Sequence, residues 1–115
     1  MAERRRKFWG WGYEDQGPNA EQKQRMAERM ASRFGLSELT ILPTPTEASL
    51  RLRAPRIEPP SALAALFTTS PWERAAHSYG RSFRDIVRAF RGEFANPFDL
   101  VAFPNDEPEL IRVLE

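Results

Sequence analysis

Cysteine is absent from the 115 residues, and histidine occurs once, at His77. Without cysteine there are no disulfides, no thiolate metal sites and no cysteine nucleophile; a reducing compartment suits such a chain, so the cytoplasm is the expected location. No apolar run is long enough to span a bilayer, and the basic start Arg4-Arg5-Arg6-Lys7 has no apolar segment of signal-peptide type behind it. A soluble, unprocessed chain with no membrane partner is predicted. Neither sign of charge dominates, with 17 Lys and Arg against 16 Asp and Glu, so no global field marks a nucleic-acid or membrane binder. Glycine loops of phosphate-cradling type, metal-ligand spacings and close carboxylate pairs are all missing. The length allows one domain at most, with a modest core and little room for a large active-site cleft.

What is present is a succession of short helices joined by punctuated loops. Residues 1–18 join the basic run to Phe8-Trp9-Gly10-Trp11-Gly12-Tyr13, whose glycines forbid a regular element, so an irregular aromatic arm is predicted. A first helix should open with Asn19 as N-cap and Gln22 completing a capping box, and stop at Gly35. Its apolar face, Met26, Met30 and Phe34 with Ala27 and Ala31 alongside, is assigned to core packing. Pro43, Pro45, Pro55, Pro59 and Pro60 make residues 36–60 an extended connector. Within it the alternation of Leu50, Leu52 and Ala54 with Arg51 and Arg53 suggests a short edge strand. Ser61 is placed to cap a short helix from Ala62 to Phe67. Ser70-Pro71-Trp72-Glu73 starts another, with Ser70 as cap, interrupted at Gly80. Ser82 and Asp85 then cap a helix that presents Phe83, Ile86, Val87 and Phe90 on one face and ends at Gly92. Arg81, Arg84, Arg88 and Arg91 are read as the solvated opposite face. Leu100 to Phe103 read as a buried strand, followed by a helix capped by Asp106 and Glu109 and carrying Leu110, Val113 and Leu114. Such a strand needs a parallel neighbour delivered by a crossover, so the chain is expected to be the front end of a larger protein.

Chemistry is sparse. His77 adjoins Ser78 and Tyr79, but sequence neighbours on a helix point apart, and a structural role is favoured over a general base. Arg4, Arg5, Arg6 and Lys7 beside Phe8, Trp9, Trp11 and Tyr13 suit single-stranded nucleic acid, where charge and stacking rings combine. The same rings suit anchors that fill pockets on a protein surface.

Three stretches resemble the FAD-linked oxidoreductases with a vanillyl-alcohol-oxidase type flavin domain, a family that includes alkyl-dihydroxyacetonephosphate synthase and D-lactate or glycolate dehydrogenases. Lys7-Phe8-Trp9-Gly10-Trp11-Gly12-Tyr13-Glu14-Asp15 is similar to the Trp-x-Gly-Trp-Gly-Tyr-x-Asp opening of the synthase branch. Arg74 through Gly80 to Asp85-Ile86 is similar to its helix-glycine-helix segment, with His77 where that branch has arginine. Phe98-Asp99-Leu100-Val101-Ala102-Phe103-Pro104 is similar to the strand that begins the flavin domain, with Phe98 in place of proline. The resemblance implies an α+β fold: a mostly helical amino-terminal extension, residues 1–97, leading into the first strand-helix unit of a truncated FAD-binding domain of PCMH type, residues 98–115. It implies FAD as the cofactor of the whole protein, with the binding loop outside this chain and Pro104 as a wall of the flavin domain. No catalytic or metal residue is expected here. The implied activity concerns a small 2-hydroxy acid or an alkyl-dihydroxyacetonephosphate synthase-like substrate, the isolated chain being inactive. Its partners would be the rest of the flavoenzyme and a small-molecule substrate, a homodimer being compatible and nucleic acid not expected. The alternative is a non-enzymatic interaction module that binds protein or RNA through the arm.

Overall fold

The computed structural model describes residues 3–115, which divide into two compact units: residues 3–6 with Gly12–Thr44, and Lys7–Trp11 with Pro45–Glu115. In the first unit the arm doubles back on itself. Arg6 and Tyr13 form an antiparallel bridge, and the Glu14 N–H donates to the Arg5 carbonyl (2.9 Å). Arg4 pairs with Asp15 (2.8 Å) and Arg5 with Glu14 (3.0 Å), while the Arg4 guanidinium lies 4.3 Å from the centre of the Tyr13 ring. Gly12 makes the reversal feasible. Its φ is +82°, and a Cβ there would meet the Gln16 side-chain oxygen, which accepts from the Tyr13 N–H.

Helix α1, Ala20–Phe34, begins and ends as its sequence dictates. The Asn19 side chain accepts from the Gln22 N–H and the Gln22 side chain accepts from the Asn19 N–H, and Gly35 turns left-handed at φ +64°. The Leu36 N–H then closes on the Ala31 carbonyl (2.9 Å), completing a Schellman stop. The predicted core face does not pack. Met26, Met30 and Phe34 stay open to solvent, and only Ala31 is buried, because the chain after Gly35 returns along the alanine side.

The second unit contains β1 (Phe67–Thr68), α2 (Pro71–Ser78), α3 (Phe83–Phe90), β2 (Val101–Ala102) and α4 (Glu107–Leu114). Its core gathers Phe8 and Trp9 with Leu50, Trp72, Ala75, Ala89 and Phe94. Phe8 is 1% exposed, and its ring meets Trp9, Trp72 and Phe94 edge-on at centroid distances of 5.0, 4.8 and 6.1 Å. Aromatic rings dominate because small unbranched residues such as Ala75 and Ala89 let the helices approach them closely.

Several sequence expectations are corrected here. Leu100 to Phe103 does not lack a neighbour: β2 pairs antiparallel with β1, Phe67 opposite Ala102 and Thr68 opposite Val101, and the Phe103 N–H donates to the Leu66 carbonyl. The partner strand is the end of the segment read as a helix from Ala62 to Phe67. That segment is a 3-10 helix, Ser61–Leu66, with Pro60 at the N-cap position and no side-chain cap from Ser61. Residues 50–54 are extended but unpaired, since the Arg53 carbonyl is bonded to a side chain rather than to a strand. Ser70 precedes α2 without capping it; its own N–H donates to the Thr68 hydroxyl (3.1 Å). On α3 the Ser82 cap forms as predicted, but Phe83 is 83% exposed and Ala89 is the buried residue.

Candidate functional site

Two buried or half-buried arginines shape the surface that surrounds β2. Arg74, on α2, is buried, and its guanidinium donates to the Phe98 carbonyl (2.7 Å) and to the Arg53 carbonyl (2.7 Å). It thereby ties the proline-rich connector to the approach to β2. Burial, and then the neighbouring Arg53 charge, lower its pKa from the ordinary arginine value, and Asp99 opposes this. A guanidinium so far from neutrality keeps its charge. Around it, Asp99 accepts from the Arg53 guanidinium, the Arg56 N–H (2.9 Å) and the Arg56 guanidinium (3.1 Å). These donors hold its carboxyl well below the usual carboxylate range, the Arg56 side chain contributing most, then the Arg56 N–H and Arg53. Ser78 completes the frame: its hydroxyl donates to the Arg74 carbonyl (2.6 Å) and accepts from the Phe98 N–H (3.1 Å).

Arg81 clamps the aromatic arm. Its spacing in the sequence suggests a solvated arginine face, yet its guanidinium donates to the carbonyls of Lys7 (3.3 Å) and Gly10 (3.1 Å) in the arm. It also donates to the carbonyl of Ala76 (3.1 Å) in the last turn of α2 and to those of Tyr79 (3.2 Å) and Gly80 (3.0 Å) just beyond it. A cation suits this place, because the carbonyls at a helix C-terminus carry partial negative charge. The rings thus enter the core as anchors, with Trp11 alone of the tryptophans left in solvent at 71% exposure.

The predicted site residues fall on the outer side of this frame. Pro104 is half-buried in the turn between β2 and α4. Phe98, Phe103, Leu110, Ile111 and Leu114 are exposed around it, so the strand-helix unit presents an apolar surface. The His77 ring meets Phe103 edge-on at 5.8 Å, and its Nδ1–H donates to the Glu73 carbonyl (2.8 Å). The Ser78 hydroxyl is committed to the Arg74 carbonyl, so no Ser-His pair exists. A cleft of about 510 Å³ lies between Ser78, Tyr79, Arg88, Glu93, Phe94 and Asn96, with no nucleophile poised against a base. Among the described residues no cluster of His, Asp and Glu could hold a metal ion, and no helix is long and apolar enough to cross a membrane. Sequence reasoning missed Arg53, Arg56, Arg74 and Arg81 as clamps. The available signal was a connector too rich in proline to satisfy its own carbonyls, with Arg53 and Arg56 inside it.

No family model matches the chain, and no curated protein matches its sequence. Its fold is that of part of alkyldihydroxyacetonephosphate synthase. Two crystal forms of that synthase match 95% of this chain, with TM-scores of 0.64 and 0.65 at 18% and 17% identity. At such identities the likeness is one of fold. The chain spans about a quarter of the synthase's length, 25% and 24% in the two structures.

Proposed function

We propose that the chain is the amino-terminal segment of an FAD-dependent enzyme of alkyldihydroxyacetonephosphate synthase type. Its work there is structural: the clamped arm and the arginine frame hold β2, Pro104 and α4 as the shoulder against which a flavin domain builds. The observation that carries this reading is the fold likeness to the synthase over 95% of the chain. The tryptophan-glycine arm, similar to the opening of the same branch, supports it independently. Both favour the synthase branch over oxidation of a small 2-hydroxy acid. In that branch bound flavin supplies the redox chemistry while a dihydroxyacetone phosphate ester exchanges its acyl for an alkyl group.

The residues present do not by themselves compose a flavin site. A dinucleotide needs a glycine-rich turn whose N–H groups meet the pyrophosphate, and the described glycines with positive φ, at 12, 17, 35 and 92, lie in no strand-to-helix turn. We assign the isolated chain no catalytic step, and we place Pro104 at the border of the flavin domain rather than against the flavin itself.

The test is the coding sequence downstream of Glu115 together with flavin titration. A glycine-rich stretch within about ten to twenty residues is expected, and the polypeptide extended through that domain should bind FAD at one equivalent, while the 115-residue chain stays colourless. Stoichiometric flavin on the 115 residues alone, or no flavin on the extended polypeptide, would refute it. An RNA-binding arm is disfavoured by Phe8 and Trp9, whose faces are buried, and by the ion pairs of Arg4 and Arg5.

A further inference from the structure

The second unit holds a cleft of about 510 Å³ between the end of α2, the end of α3 and the loop that follows α3. Its volume is that of small-ligand sites, roughly 300–1,000 Å³. One wall is aromatic: the Tyr79 and Phe94 rings pack at a tilt with centroids 5.3 Å apart, and Phe94 is buried. The Tyr79 hydroxyl donates to the Glu93 carbonyl, which fixes that wall to the loop. Gly92, left-handed at φ +73°, turns the chain out of α3, and the Glu93 N–H donates to the Arg88 carbonyl (2.9 Å). Arg88 and Glu93 are thereby held in the lining of one cleft. Arg88 stands in the last turn of α3, where the carbonyl ends of the helix favour a cation.

The two charges do not neutralise each other. Among the described residues the half-buried Arg88 guanidinium and the Glu93 carboxylate make neither a hydrogen bond nor an ion pair. An unpaired cation and an unpaired carboxylate lining one small cavity select a ligand that carries both signs. Phosphate or a simple carboxylic acid would meet Glu93 as a like charge, and a simple amine would meet Arg88 as one. The rest of a larger polypeptide is a poor filling for it. The interior of a chain carries no α-amino or α-carboxyl charge, and an apolar contact would bury both side-chain charges without partners, at high cost. The apolar residues that a flavin domain would cover, Phe103, Leu110 and Leu114, lie on the strand-helix shoulder instead. We propose that the cleft binds a free α-amino acid, with its carboxylate on the Arg88 guanidinium, its ammonium on the Glu93 carboxylate and an apolar side chain against Tyr79 and Phe94. This inference is independent of the flavin reading, which concerns β2 and α4.

The experiment is amide NMR of the whole 115-residue chain titrated with L-leucine, L-methionine and L-phenylalanine in turn. At least one should saturate with a Kd below about 1 mM, moving the amides of Glu93, Phe94, Ala95 and Asn96 while those of α1 stay in place. The deaminated and decarboxylated analogues of the amino acid that binds should each bind at least about tenfold more weakly. Glu93→Gln should erase the preference over the deaminated analogue, and Arg88→Met the preference over the decarboxylated one, a pattern that loss of fold would not give. Circular dichroism checks the helix content of both variants, and the analogue series on the parent chain tests the proposal without them. Four results would overturn it: no saturable shift with any of the three amino acids up to about 10 mM; the deaminated analogue or inorganic phosphate binding as tightly as the amino acid; folded variants that keep both preferences; or loss of the shifts in the polypeptide extended through the flavin domain, whose own chain would then fill the cleft.

Discussion

Replacing Phe8 by alanine isolates what the aromatic arm does. The side chain is almost completely buried, immediately after the basic run Arg4 to Lys7, and touches Trp9, Trp72 and Phe94 edge-on. Removing a ring from such a site costs about 3–5 kcal/mol, through lost transfer energy and the cavity left behind. The edge-to-face pairs lie within that figure, at roughly 0.5–1.5 kcal/mol each. A small domain has only about 5–15 kcal/mol of stability, and each kcal/mol moves its melting point by roughly 4–8 °C. Phe8→Ala should therefore lower the melting temperature by about 15 °C or more, followed by near-ultraviolet circular dichroism, which reports the packed indoles. Trp11→Ala is the matched control: it removes a larger ring from solvent and should shift the melt by less than about 2 °C. A Phe8→Ala protein that melts within about 3 °C of the parent, or a Trp11→Ala protein destabilised as much, would show that the arm does not anchor the second unit.

Asp99 makes the stability dependent on acid. Its carboxyl is held below the usual range in the folded chain, so its contribution is complete above the ordinary carboxylate pKa of about 4 and is lost as pH falls toward the depressed folded value. Urea midpoints measured from pH 6 downward should fall less steeply for Asp99→Asn than for the parent; parallel curves would remove Asp99 from the account. Arg74→Met leaves the Phe98 and Arg53 carbonyls without their donor and should cost about 2–4 kcal/mol in urea unfolding. Arg81→Met should cost about 1–3 kcal/mol and speed chymotryptic cleavage at Phe8 and Trp9, with Arg81→Lys a poor replacement because an ammonium cannot span carbonyls spread over the arm and the end of α2. Labelled single-stranded RNA should show negligible affinity for the chain even at low salt, and tight, salt-sensitive binding would restore the arm as a stacking platform.

Local signals were the legible part of this sequence. The capping box at Asn19 and Gln22, the left-handed stop at Gly35, the Ser82 cap and the Asp106 cap all depend on residues within one turn of each other, and all formed. Pairing over distance was not legible. β1 and β2 are two residues each and some thirty positions apart, and nothing in Phe67-Thr68 distinguishes it from the tail of a helix. Helical spacing also misled where burial depends on what stands opposite. Met26, Met30 and Phe34 form a good apolar face, but the pattern says only that a face exists and not that this chain covers it.

The arginines went unread because charge was counted as surface, whereas here it replaces secondary structure. A connector with five prolines and no ladder leaves carbonyls that no backbone N–H can reach. Arg74 supplies a donor to one of them, the Arg53 carbonyl, and Arg81 does the same for the Lys7 and Gly10 carbonyls of the equally irregular arm, each guanidinium bonding several oxygens that diverge in direction. A lysine offers three donors from one point, while the planar guanidinium offers five along its edges. This choice of residue lets irregular chain be held in a fixed course beside a short sheet, and it fixes Pro97 to Asp99 at the entrance to β2 through side chains alone. The shoulder formed by β2, Pro104 and α4 is consequently positioned by charge-assisted hydrogen bonds more than by sheet pairing, and substitutions at Arg74 or Asp99 should disturb it more than substitutions in the two-residue strands themselves.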